Sequence, residues 1–155
     1  MAHLFRREIC LARLKADDAE AAIRALGLAL TACGLVRPSY TAAVLTREMT
    51  SPTGLPLAGR KVAIPHADPE HVLAPAVAVA TLAAPVTFCE MGNPASRLDV
   101  ELVALLALSD KQSAQEELVQ LVELFQDAAY VDRLVGAPDD ASLFALLDGG
   151  RKARP

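Results

Sequence analysis

The chain has 155 residues, enough for one domain with a real core and no staples. Hydrophobic residues make up 53% and charged residues 22%, with a net charge of −4, which excludes a disordered chain. No basic stripe is present and aromatic residues are only 4% of the chain, which argues against nucleic acid as a partner.

Taken in chain order, residues 9–14 form a candidate strand. Asp17 or Asp18 can cap a helix in which Ile23, Leu26, Leu30 and Cys33 share one face, with Gly34 suited to its end. Pro38 and Ser39 open a second helix, with Ser39 as its expected N-cap and a stop near Thr50 ahead of Pro52. Residues 51–60 are rich in turn residues. Residues 61–64 read as a short strand that ends at Pro65-His66.

Beyond it, strands are expected at residues 77–82 and 86–88, a loop at 90–97, and a buried strand at 100–108. The last third reads as helices. Leu118, Leu121, Val122 and Phe125 share one face, with Glu116, Glu117, Gln120 and Glu123 largely elsewhere. A segment at 128–134 follows, and a final helix, capped by Asp140 or Ser142, runs out at Asp148-Gly149. Interleaved strands and helices imply an α/β fold: a mixed β-sheet flanked by helices, in a single domain over residues 1–148. Residues 149–155 read as a frayed basic tail.

Several chemistries are disfavoured. Cys10, Cys33 and Cys89 match no metal or redox spacing and read as reduced thiols, which fits a cytoplasmic location. No secretory signal is visible, and the weakly polar stretch at 72–86 is short for a membrane span and holds Pro75 and Pro85. The chain shows no phosphate-loop, dinucleotide or nucleophile-elbow pattern, so no ATP or NAD cofactor is expected. His66 and His71 could offer two metal ligands, but their spacing fits no usual site and no third ligand stands nearby, so no metal is expected. His3, near the N-terminus, carries no signal.

Two side chains stand out. Tyr40, Ala43, Val44 and Arg47 follow one helical stripe, so Arg47 points toward the core or its rim. Pointing inward, its guanidinium needs an anion, either a carboxylate such as Glu101 in a structural pair or a ligand; on the rim it can instead lie over apolar surface. His66 ends an apolar strand directly after a proline, and strand ends in α/β sheets are where ligands bind. A neutral imidazole held there can use one nitrogen for orientation and the other as a nucleophile toward phosphorus. Asp68-Pro69-Glu70 suggests a helical turn close by, with Pro69 at its first position.

Arg47-Glu48, then Ser51-Pro52-Thr53-Gly54-Leu55, then Val62-Ala63-Ile64-Pro65-His66 together resemble the signature of the fructose–mannitol superfamily of enzyme IIA, from the bacterial sugar phosphotransferase system. The Pro-Thr-Gly-Leu wording and the run from Pro65 to Val72 are most similar to the galactitol-type branch. The resemblance spans residues 17–147 and implies a phosphocarrier. It would accept a phosphoryl group from the phosphocarrier protein HPr on His66 and pass it to a cysteine of enzyme IIB, which serves the membrane component enzyme IIC. It further implies that Arg47 steadies the phosphoryl group, and that Thr53 is a small polar residue beside the site. Other branches carry a second histidine near the start of the helix after the last core strand. This chain has Ser113-Ala114-Gln115-Glu116 there, so Ser113 or Gln115 is the expected substitute. Leu55, Leu57 and Ala67 are the expected apolar contact surface. Some relatives use the histidine as a regulatory signal and feed no transporter, which is the alternative reading.

Overall fold

A computed structural model describes residues 4–153, with side chains described through residue 150; His3 and residues 154 and 155 lie outside the described residues. The strands are β1 (Cys10–Leu14), β2 (Gly54–Leu55), β3 (Lys61–Ala63), β4 (Ala76–Glu90) and β5 (Asn93–Ala107). The helices are α1 (Ala19–Ala32), α2 (Tyr40–Thr50), α3 (Lys111–Phe125), α4 (Ala128–Val135) and α5 (Asp140–Ala153). Short 3-10 turns occupy Arg7–Ile9 and Pro69–His71.

The sheet is mixed. β4 and β5 form a long antiparallel hairpin. β1 runs parallel to β4, and β3 runs parallel to β5. β2 pairs antiparallel with β3 and touches the far end of β4 at Gly54↔Glu90. Both sheet faces are covered, which explains the unbroken apolar runs in β4 and β5. Val77, Val79, Leu102, Ala104 and Leu106 face Leu121, Phe125, Val131, Leu134 and Leu143 of the C-terminal helices. The alternate residues Ala76, Ala78, Ala80, Val103, Leu105 and Ala107 face Ile23, Leu26, Leu30, Tyr40 and Val44 of α1 and α2. The alanines on that face leave little bulk between sheet and helices. α1 and α2 also pack closely on each other: a Cβ at Gly27 would sit 2.2 Å from Thr41 Oγ1.

Three expectations are corrected. The two short strands at 77–82 and 86–88 are one strand, β4, with a register shift between Thr81 and Val86 and an exposed Pro85. The expected loop at 90–97 is only a tight turn around Met91 and Gly92 (φ 79°), because β5 starts at Asn93. β2 lies inside the turn-rich stretch.

Helix ends differ in detail. Asp18 caps α1 by accepting from Ala21 N, and Gly34 follows with φ 71°. Ser39 occupies the N-cap of α2 but makes no side-chain cap bond; its hydroxyl is bonded to His71 Nδ1 at 2.8 Å instead. At α5, Asp139 accepts from Ser142 N, whereas Asp140 reaches across to Ala12 N at 2.7 Å. α5 continues to Ala153, past the expected stop at Asp148-Gly149. Glu117, expected on the polar side of α3, is buried.

Candidate functional site

β3 delivers its last residues toward the C-terminal end of the neighbouring strand β5. Pro65 O accepts from Leu106 N at 3.0 Å, and His66 forms a parallel bridge with Leu106. Leu106 O in turn accepts the hydroxyl of the buried Tyr40 at 2.5 Å. The first turn of α2 is thereby tied to the sheet directly behind His66. Pro65 is buried and its ring fixes one backbone angle at the strand exit.

The imidazole is itself oriented. His66 Nδ1–H donates to Ile64 O at 3.0 Å. That bond sets the tautomer and leaves Nε2 with its lone pair and no hydrogen-bond partner among the described residues. Burial of the ring lowers the His66 pKa below the ordinary value, and the nearby Arg47 charge pushes the same way. The Ile64 carbonyl and Asp68 oppose the shift without cancelling it. The ring is therefore neutral at pH 7, the form in which a histidine nitrogen is nucleophilic.

A cleft of about 610 Å³ opens beside this ring. One wall holds His66, Ala67, Asp68 and Pro69 with Arg47 from α2; the other holds Leu108, Lys111, Gln112, Ala114, Gln115 and Leu118 from the start of α3. Arg47 Nη1 lies 3.5 Å from Asp68 Oδ1 in a partly exposed pair, and its buried Nε has no hydrogen-bond acceptor. The side chain as a whole is 41% exposed where it lines the cleft, so its guanidinium charge is open to an added anion there. Glu101, the carboxylate considered for Arg47, is bound by Arg60 at 2.5 Å, and Arg60 also holds Asp132 at 2.8 Å.

Thr53 does not line the cleft. It is 2% exposed, with its hydroxyl donating to Glu48 Oε1 at 2.8 Å and its N–H to Glu48 Oε2 at 3.0 Å. Thr53 O accepts from Ile64 N at 3.2 Å. Glu48, Thr53 and Ile64 thus form a bracket from the end of α2 to the carbonyl that orients His66. Its role is positional, and the part played by Glu48 is not marked in the sequence beyond its place next to Arg47. Burial raises the Glu48 pKa, against the two Thr53 hydrogen bonds that favour its charged form.

His71 belongs to the scaffold. Besides its bond to Ser39, its carbonyl accepts from Arg37 N at 2.9 Å, and Glu70 O accepts from Arg37 Nε at 3.0 Å. These contacts pin the loop after His66 onto the α1–α2 connection. Among the described residues, no group of three or more His, Cys, Asp and Glu could hold a metal ion. Asp68 precedes a 3-10 turn only three residues long, with no side-chain cap bond.

On the second wall, Gln115 lines the cleft, while the Ser113 backbone N–H is taken by the N-cap Asp110. Lys111 and Gln112 also line it, and no sequence pattern marks them. Of the expected apolar contact residues, only Ala67 lines the cleft. Leu55 is in the core and Leu57 packs against it. Among the described residues, no helix is long and apolar enough to cross a membrane.

A mixed sheet covered on both faces, with an oriented, neutral histidine and an arginine meeting in an open cleft, defines a class of histidine-bearing group-transfer domains. The family described as phosphoenolpyruvate-dependent sugar phosphotransferase system, EIIA 2, matches residues 3–149, and the chain belongs to it. Proteins of this family are phosphotransferases that pass phosphoryl groups through a histidine. The mannitol IIA of Escherichia coli has a similar structure, with 28% identity and TM-score 0.74, covering 92% of this chain and 97% of that one. The E. coli complex of mannitol IIA with phosphorylated IIB matches at 28% identity and TM-score 0.76, covering 94% and 99%. The nitrogen regulatory protein IIA-Ntr of Neisseria meningitidis shares the fold at 18% identity and TM-score 0.70, covering 93% and 96%. No curated protein matches the sequence significantly.

Proposed function

We propose that His66 is the phosphoryl acceptor of this chain, and that it takes the group from phospho-HPr and hands it to a cysteine of an enzyme IIB. The observation that carries the reading is the unbonded Nε2 of a neutral ring in the same cleft as Arg47. In the forward step a bond forms between Nε2 and phosphorus while the donor's P–N bond breaks, and the electron pair returns to the donor ring. The Nδ1 proton stays on His66, so the phosphorylated ring carries a positive charge that the Ile64 carbonyl stabilises. The moving phosphoryl is a loose, highly charged species that depends on alignment and fixed cations. Arg47 supplies a permanent charge at the cleft wall. The step balances with no metal, because the donor is already a reactive phosphoramidate.

The mannitol IIA complex with phosphorylated IIB supports passage to a IIB partner; onward passage to enzyme IIC is what the resemblance implies. Its sugar is read as a polyol: the motif wording favours a galactitol-type system, while the similar structures at 28% identity are mannitol-type.

Incubation with enzyme I, HPr and labelled phosphoenolpyruvate tests the reading. Acid-labile label should appear on this chain, vanish in a folded His66→Ala variant, and pass on to a IIB. Label at the normal rate in that variant would remove the proposal. Acceptance without passage to any IIB would instead favour a regulatory module.

A further inference from the structure

α3 forms the second wall of the cleft and opens its first turn with a cation, Lys111. Its N-cap is Asp110, but its first turn holds no acidic residue and begins with Lys111. α1 and α5 each carry an acid there, Glu20 and Asp140, while α2 and α4, like α3, carry none. A cation at a helix N-terminus opposes the macrodipole. The Lys111 side chain makes no hydrogen bond or ion pair among the described residues that would compensate. It lines the cleft on the wall facing Arg47 and His66. Among the described residues, the only carboxylate lining that cleft, Asp68, is already paired with Arg47. The resting cleft thus holds two cations and one anion, an imbalance that a phosphoryl dianion on the cationic His66 ring, net −1, would cancel.

We propose that Lys111 is a second cationic holder of the phosphoryl group, closing on it from α3 while Arg47 holds it from α2. Arg47 is partly fixed by its pair and by a buried Nε; Lys111 is exposed on a flexible stem and free to follow the group as a partner docks. Its contribution is greatest in the phosphorylated state, so it shifts the equilibrium of transfer from HPr and not only its rate. The inference rests on His66 being the acceptor.

The test compares wild type with Lys111→Met and Lys111→Arg, measuring the equilibrium between phospho-HPr and this chain with label, and the Lys111 Cε chemical shift by carbon-13 NMR of the phosphorylated and free forms. Lys111→Met should shift the equilibrium toward phospho-HPr by about threefold to fivefold, the range of a partly exposed charge pair. Lys111→Arg should restore it, and the Lys111 Cε resonance should move on phosphorylation. An unchanged equilibrium in Lys111→Met, or a change confined to the KM for HPr, would overturn the role of Lys111 while label on His66 leaves the acceptor reading intact. Label that persists in His66→Ala would instead remove the acceptor reading itself.

Discussion

The two walls of the cleft are built to opposite standards. On the β3 side nearly every polar group is committed: Ile64 O to His66, Leu106 N to Pro65, Tyr40 to Leu106, Thr53 to Glu48. On the α3 side Lys111, Gln112 and Gln115 are exposed, and the hydrogen bonds there serve the helix cap. The difference separates two tasks. Transfer in line requires a nucleophile held to a fraction of an ångström, so that wall is over-determined. Docking of two successive proteins on one nitrogen requires a surface that adapts, so the other wall is left loose.

Substitutions on the two walls should therefore fail differently. Arg47→Ala should fold and slow phosphoryl acceptance by roughly a hundredfold, the usual cost of losing one transition-state donor; rapid-quench transfer assays read this, and an unchanged rate would return Arg47 to a structural pair with Asp68. Thr53→Val keeps the volume but strips Glu48 of its hydroxyl donor. It should cost about 1–3 kcal/mol of stability in denaturant unfolding, with a smaller loss of rate than Arg47→Ala. Gln115→Ala should leave stability within about 0.5 kcal/mol and raise the KM for the donor severalfold; a large loss of stability would mean that the α3 wall is not the adaptable one.

The smallest effect concerns pH. The His66 pKa is lowered, chiefly by burial, so the ring stays neutral to lower pH than a free histidine at about 6.5. The acid limb of the acceptance rate should fall below that value. The same shift means that the unfolded chain takes up a proton near pH 6.5 that the folded ring refuses, so this group's stabilising contribution is lost as pH falls through that range. Asp68→Asn removes a nearby negative charge that favours the protonated ring, and should move the acid limb lower still.

Much of this arrangement was legible in the sequence, for identifiable reasons. The α/β class follows from alternating strands and helices. α1 declares itself by Asp18 and Gly34, and Pro65-His66 marks a strand exit. The Tyr40–Val44–Arg47 stripe does turn Arg47 toward the cleft. Other features were hidden. β2 is two residues long and shows no periodicity. Pro85 reads as a break, yet it sits at an exposed, irregular point of a continuous strand, where a missing N–H is tolerated. The polar start of β5 reads as loop because the hairpin tip extends beyond the core. Thr53 and Glu48 meet through a turn, so their bond has no sequence period. Lys111 and Gln112 enter the cleft only because β5 ends beside β3, a fact of topology that no local pattern carries.

Because Nδ1 is already committed to Ile64, one atom, His66 Nε2, is placed to receive the phosphoryl group. Phosphorus–nitrogen coupling in NMR spectra of the nitrogen-15-labelled, phosphorylated protein tests it most directly. Coupling should place the phosphorus on Nε2 with the Nδ1 proton retained; phosphorus on Nδ1, or on His71, would overturn this assignment.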